Sequence, residues 1–447
     1  MTMMRDATPV RAAVSDSLAP ATTDVRWSPA TKVAFRLCFV YFGLYVLTTQ
    51  MISSMVRLPI GIPPLSVLPP VRNAFLWVGA NVLRISDPIN VAGSGSGDTL
   101  IDWVEAFSLV LAAVAATTIW SVLDRRRAHY RTLNTWFRPF LRFALGTTMV
   151  GYGLSKVIPL QMPVVFLTRL VEPFGNFSPM GVLWTSIGAS PAYESFVGCA
   201  ELAGGALLFV PRTTLVGALI CVMDAIAIFT LNMTYDVPVK LFSFHLILLS
   251  LFLVAPNIRP LLRLLLMNGS ASASVEPPLG RTRRSRRIWN GVQVVYGSYF
   301  VLLVAAGYVV AWKQAGGGAP NPPLFGIWDV EQMTIDGQEH PPLVTDRDRW
   351  RRVIFQQPTA VTFQRMDDTF ERFATAIDAD RKTIALTVAA TKTSSTLSFA
   401  RPTPEQLIID GPINGRTVHL ELKLRDLNSF LLHTRGFNWV QEVPFNR

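Results

Sequence analysis

Residues 100–123 read LIDWVEAFSLVLAAVAATTIWSVL. A helix needs about 20 predominantly apolar residues to cross the hydrocarbon core of a bilayer, and this run supplies them. Six more runs approach or reach that length: Val33–Val56, Pro139–Ile158, Ala192–Val210, Thr213–Leu231, Val239–Ala255 and Ile288–Trp312. Seven spans are therefore expected. Val239–Ala255 is the shortest and would lean on its flanks to cross.

Composition points the same way. Of 447 residues, 50% are apolar and 16% charged, against about 25% charged in an average soluble domain. Mean hydropathy is +0.34. Yet the chain carries a formal +11, with 41 Lys and Arg against 30 Asp and Glu. That combination argues against a water-soluble enzyme, a disordered chain and a nucleic-acid partner. Residues 322–447 hold 15 basic and 16 acidic residues, so nearly all the excess falls in the apolar part.

The basic residues set an orientation. With the N-terminus inside, the inner segments carry Arg125, Arg126, Arg127, Arg131 and Arg138, then Arg212, then Arg259, Arg263, Arg281, Arg283, Arg284, Arg286 and Arg287. The outer loops carry only Arg57, Arg72, Arg84, Lys156, Arg169 and Lys240. The cluster 281–287 reads as a flank of the seventh span and not as a nucleic-acid site. An odd number of spans then puts the C-terminal part outside.

Residues 1–32 are a polar Pro-, Thr- and Ala-rich tail on the inner side. They do not read as a cleaved signal peptide, because the first apolar run is too long for an h-region and reads as a spanning helix or signal anchor. Residues 33–312 form the membrane bundle. Within it Val71–Ile85 suits an interfacial helix. Val164–Ala189, broken by Pro173, Gly175, Pro179 and Gly181, suits an interfacial or re-entrant segment. Residues 313–321 are a linker. From 322 to 447 the period changes to short alternating runs: Ile327–Thr334, Arg351–Phe355, Ala360–Gln364, Thr369–Ile377, Thr383–Val388, Thr396–Phe399, Gln406–Ile409 and Thr417–Leu424. Asp336-Gly337, Asp410-Gly411 and Asn414-Gly415 are turn signals between such runs. Eight strands in so short a length predict a small antiparallel β-barrel.

Familiar soluble-enzyme signatures are missing. Gly93-Ser94-Gly95-Ser96-Gly97 lacks the Lys-Ser/Thr of a phosphate loop. The five histidines, His129, His245, His340, His419 and His433, are scattered, so no metal site is expected. Cys38, Cys199 and Cys221 form no CxxC, which leaves a disulfide framework and dithiol chemistry unsupported.

Ionisable residues in or beside the spans are the better signal, because they are costly in lipid and face the bundle interior. Glu201, Asp224 and His245 lie within the fourth, fifth and sixth spans. Glu194 is two helical turns from Glu201 on the same face. Lys156 ends the third span, and Tyr235, Asp236 and Lys240 occupy the outer loop between the fifth and sixth. Two readings remain open. In one, these residues form a polar pocket that relays protons or binds a lipophilic head group such as a quinone. In the other, Lys156–Glu194 and Asp224–His245 are structural pairs that fix helix register.

Two resemblances follow from short motifs. Leu141-Arg142-Phe143-Ala144-Leu145-Gly146, Tyr152-Gly153-Leu154-Ser155-Lys156, Glu201-Leu202-Ala203-Gly204-Gly205-Ala206-Leu207-Leu208 and Arg212-Thr213-Thr214 resemble the DoxX/DoxD-like family of four-helix membrane proteins, over roughly residues 139–256. Gly326-Ile327-Trp328 resembles the opening of lipocalin-like barrels. The first resemblance implies a multi-pass protein of the bacterial cytoplasmic membrane, in some members a subunit of a quinone-linked oxidoreductase. Lacking redox cysteines, such a subunit would depend on bound quinone or on partner subunits in the membrane. The second implies that Trp328 plugs one barrel end under a late arginine, Arg425 or Arg435.

The expected fold is thus an α-helical transmembrane bundle of seven spans, N-terminus inside and C-terminus outside, with a small antiparallel β-barrel appended. Three function classes stay open: a quinone-interacting subunit of a membrane oxidoreductase, a non-catalytic assembly or lipid- or partner-binding protein using its barrel, and a transporter. No inverted repeat supports the last.

Overall fold

Helices begin where the local chemistry caps them. The computed structural model describes residues 26–57, 61–270, 279–280, 282–387 and 393–446. Most of the tail read at 1–32, and Arg281, lie outside the described residues. Helix α1 (Pro29–Thr48) starts after Ser28, whose hydroxyl accepts the Thr31 N–H, with Pro29 pre-set at its first position. Short α2 (Gln50–Met55) and α3 (Pro69–Asn81) follow. Helix α4 (Leu100–Leu123) opens on a reciprocal capping box between Thr99 and Asp102. Next come α5 (Arg131–Val157), α6 (Leu167–Val171), α7 (Pro179–Gly188), α8 (Pro191–Leu208), α9 (Thr214–Thr234), α10 (Lys240–Val254), α11 (Ile258–Met267) and α12 (Arg283–Ala315). The interfacial readings at 71–85 and 164–189 become α3, and α6 with α7.

Five helical stretches are long and apolar enough to cross a membrane: α1, α4, α9, the continuous Lys240–Met267 stretch, and α12. These correspond to five of the seven expected spans. The sixth run is not short after all, because α11 extends α10 to 28 residues. The remaining two, α5 and α8, fall below that apolarity because they carry Arg138, Arg142, Lys156, Glu194 and Glu201, all buried. They lie against each other inside the bundle. Helix α5 also starts earlier than expected, so Arg131 and Arg138 belong to it and not to a loop.

Three buried arginines explain how the helix ends are satisfied. The last carbonyls of a helix have no intrahelical donor, and cations are favoured there. Arg36 donates to Asp124 O (3.0 Å) at the end of α4. Arg138 donates to Leu253 O (2.7 Å) at the end of α10. Arg142 donates to Leu208 O (2.8 Å) at the end of α8, and to Gln293 Oε1 (2.6 Å) on α12.

The C-terminal part is a closed barrel. Its strands are β1 (Gly326–Ile335), the short β2 (Gln338–Glu339), β3 (Trp350–Gln357), β4 (Ala360–Arg365), β5 (Phe370–Asp378), β6 (Thr383–Thr387), β7 (Ser394–Ala400), β8 (Gln406–Ile413) and β9 (Arg416–Leu424). Apart from the β2 hairpin arm, eight strands pair antiparallel in order and β9 returns to β1. All eight expected strands are present. Asp336-Gly337 and Asn414-Gly415 turn two-residue hairpins with positive φ at both positions. Asp410-Gly411 is not a turn: it lies inside β8. A Cβ on Gly411 would stand 2.9 Å from Leu397 Cδ2 and 3.0 Å from its Cα, so close strand approach explains that glycine. A short helix α13 (Leu431–Thr434) follows the barrel.

Apolar side chains fill the barrel interior, among them Trp328, Phe355, Phe363, Phe373, Leu407 and Leu420. Trp328 is fully buried in that core and donates its indole N–H to Leu324 O (2.8 Å). The arginine over its ring is Arg401, at 5.5 Å, and neither expected candidate. Arg425 instead binds the Asp329 carboxylate at 2.8 and 3.3 Å. Arg435 lies over Phe445 at 4.5 Å.

On the barrel wall His419 Nδ1 lies 2.5 Å from Asp410 Oδ1, and its Nε2 is 3.6 Å from Glu421. The Asp410 hydrogen bond raises the imidazole pKa above the usual 6.5. Stability from this pairing is full below pH 6.5 and is lost as pH rises through the raised folded value. Thermal unfolding of wild type and His419→Gln should therefore differ at acid pH and converge at alkaline pH. A difference of constant size across that range would exclude the charge pairing as its cause.

Candidate functional site

A seam of glycines positions the ionisable residues of the bundle. Gly146 and Gly153 on α5 face Gly205 and Gly198 on α8, each pair seven residues apart. A Cβ on Gly153 would lie 2.5 Å from Leu202 N, and one on Gly205 would lie 2.8 Å from Gly146 O. Only a missing side chain lets two backbones come so near. Gly204 and Gly217 also bring α8 close to α9, a Cβ on Gly217 standing 2.9 Å from Gly204 O.

That approach sets Lys156 against Glu201. The ammonium is 2.8 Å from both carboxylate oxygens, and both side chains are buried. The Tyr152 ring lies 5.8 Å from the ammonium, and its hydroxyl accepts from Gln50 Nε2 at 3.1 Å. Asp224 on α9 is within electrostatic reach of Glu201 and Lys156. Its Oδ2 is buried and has no hydrogen-bond partner.

The pairs anticipated from sequence are not the ones formed. Glu194, expected on Lys156, accepts the Met162 N–H at 2.9 Å and pins the loop after α5. With Glu194 engaged there, Lys156 turns to Glu201 one level deeper. His245, expected on Asp224, faces α1. Its ring stacks on Tyr45 (centroids 3.9 Å apart, planes within 6°), and Nε2 is 2.6 Å from the Tyr41 hydroxyl. Nδ1 lies 2.7 Å from Leu241 O. A carbonyl only accepts, so Nδ1 carries the proton and a neutral ring accepts from Tyr41 at Nε2. The face of α9 near Asp224 looks toward α8, where a Cβ on Gly204 would meet Cys221 Sγ at 3.0 Å. The sequence candidates therefore divide into two groups: Lys156, Glu201 and Asp224 in one, and His245 with Tyr41 and Tyr45 in the other.

The loop residues have structural partners. Asp98 accepts the N–H groups of Lys240 (2.8 Å) and Leu241 (2.9 Å), capping α10. Lys240 Nζ reaches Asp236 at 2.8 Å. Tyr235 ends α9, its N–H bonding Leu231 O. The glycine-rich segment docks here through Gly97 N–H to Pro238 O (2.8 Å).

Sequence reading passed over Tyr41, Tyr45 and Glu105. Glu105 Oε1 is buried, with the Thr48 hydroxyl beside it. Glu105 sits one turn after the α4 capping residue Asp102, where it reads as part of an N-terminal flank. Among the described residues no group of three or more His, Cys, Asp or Glu is arranged to hold a metal.

The barrel is seated on the bundle through α6. Gln356 accepts the Leu167 N–H (2.8 Å), and Gln364 donates to Val171 O (3.1 Å). Leu167, Ile327 and Ile354 form the apolar contact, joined by Leu170, Leu427 and Phe430. Beside it a cavity of about 350 Å³ opens between Phe166, Arg169 and Glu172 on one side and Gln357, Phe370 and Arg372 on the other.

No family model matches the chain. No solved structure matches it either. Over 129 residues, 29% of its length, it is 32% identical to the uncharacterized protein YwoB of Bacillus subtilis (strain 168), and the match spans 79% of that protein.

Proposed function

The chain belongs to the same family as the Bacillus subtilis protein YwoB, and we propose that it is a quinone-interacting subunit of a membrane oxidoreductase system. In this reading its core, α5, α8, α9 and α10, is DoxX-like. The chain crosses the bacterial cytoplasmic membrane seven times, with the N-terminus inside and the barrel outside. The basic inner segments support that orientation. The buried pairing of charges on α5 and α8 supports their crossing inside a ring of more apolar helices.

One observation carries the functional part: the unpartnered Asp224 Oδ2 beside the Lys156–Glu201 pair. A buried acceptor without a donor is costly and fits a ligand that brings a hydroxyl. An ammonium has three donors, and Glu201 takes at most two, which leaves one for a ligand carbonyl. Acceptor and donor together fit the head group of a quinone or its quinol. When bound, such a carrier supplies two-electron, two-proton redox chemistry. Cys38, Cys199 and Cys221 are free thiols on three different helices, so electrons would pass to a partner subunit and not to this chain.

Lipids extracted from the purified full-length protein should contain quinone, and Asp224→Ala should lose most of it while folding normally. Equal quinone in both, or none in wild type, would reject the reading. A second reading, a non-catalytic assembly protein, draws on the barrel. Its filled interior and its seat on α6 suit it to holding partners by its outer wall.

A further inference from the structure

We propose that residues 436–446, after α13, are a membrane-interface anchor that inserts their aromatic side chains into the bilayer surface beside the bundle. The inference does not depend on the head-group site. Every described residue from Leu431 to Asn446 is exposed. Phe437 is 78% exposed, Trp439 90%, Val440 77% and Val443 72%. The barrel core is complete without them, so they add nothing to its interior. Phe437, Trp439, Val440 and Val443 stand exposed between the polar Asn438, Gln441 and Glu442, and so many exposed apolar side chains on one short segment mark an interaction surface and not ordinary solvent-facing chain.

The position of the segment names the partner. Leu427 and Phe430, just before it, pack with Leu167, Leu170 and Val171 of the bundle and Ile327 and Ile354 of the barrel. The segment therefore leaves from the end of the barrel seated on the helices, five stretches of which are long and apolar enough for a membrane. Phe174, three residues beyond α6, is also bare, at 73% exposure. Composition fits lipid better than a protein groove. Trp favours the headgroup level and Phe the apolar side of segments lying in the interface, and Arg435, whose guanidinium lies over the Phe445 ring, can keep its charge in water while its stem is buried. Phe437 and Trp439 meet edge to face at 4.9 Å, forming one aromatic wedge.

The test uses the full-length protein in phosphatidylcholine–phosphatidylglycerol nanodiscs, with Cys38, Cys199 and Cys221 changed to Ser. A bimane label is placed at Trp439→Cys, or at Glu339→Cys on the far end of the barrel as a control. The label at 439 should shift to the blue and lose at least half its intensity to lipid spin-labelled near the head group. The label at 339 should do neither. Water-like emission at 439 overturns the proposal. So does a blue shift without lipid quenching, which would mean a protein contact instead. Should the cysteine-free protein fail to fold, the native protein carrying Phe437→Ser, Trp439→Ser and Phe445→Ser gives a second reading. Protease should cut its segment 436–446 faster than in wild type in nanodiscs, and an equal rate counts against insertion.

Discussion

A Gly153→Val protein should lose about 3 kcal/mol or more of bundle stability, at the upper end of what overpacking costs, whereas Gly151→Val should change it by only about 0.5 kcal/mol. The two glycines lie on the same helix, two residues apart, and both substitutions pay the same β-branched entropy in a helix. What differs is the space around them. Nothing lies within 4 Å of a Cβ at 151, but at 153 the new atom meets Leu202 N at 2.5 Å and Leu202 Cα at 2.9 Å. Those are backbone atoms of α8, which yield only if the whole helix moves. Such a shift would also part Lys156 from Glu201. Unfolding of both proteins in the same detergent, followed by helical circular dichroism, gives the comparison. Equal losses would mean that α5 and α8 do not meet at this seam.

Lys156→Met should destabilise the protein by about 3–5 kcal/mol, because it leaves Glu201 buried without its counter-charge. The double substitution Lys156→Met with Glu201→Leu should recover most of that loss, since removing both charges also removes the cost of burying them. Quinone content separates glue from function. If the pair serves only to hold α5 and α8 together, the double variant regains both stability and any bound quinone. If it serves the proposed site, stability returns and quinone does not. A double variant as unstable as the single one would show that the pair does more for the fold than neutralise itself.

Much of the architecture was legible because periodicity is local. Eight alternating runs bounded by turn residues became eight barrel strands, and five apolar runs became membrane-length helices. Failures occurred where the answer depended on how one helix is rotated against another. Lys156 was within reach of two glutamates on one face of α8, and only the competing Met162 N–H decides that Glu201 takes it. His245 and Asp224 sit on neighbouring helices but face different partners, α1 and α8. Arg138 and Arg142 looked like flank and motif residues because their carbonyl partners are more than 60 residues away along the chain. Asp410-Gly411 has turn composition, yet its glycine answers to a neighbouring strand, which no local pattern records.

The β1–β9 pairing has a consequence for biogenesis. The barrel closes only when residues 416–424 reach β1, the first barrel strand, so closure waits until every barrel strand has been synthesised. Every helix of the bundle precedes β1 in the chain and emerges from the ribosome first. Until β9 arrives, β1 and β8 each present an unpaired edge, the kind of surface that invites pairing with other chains. Nascent molecules should therefore be most prone to aggregate in the interval after β8 and before β9 leaves the ribosome.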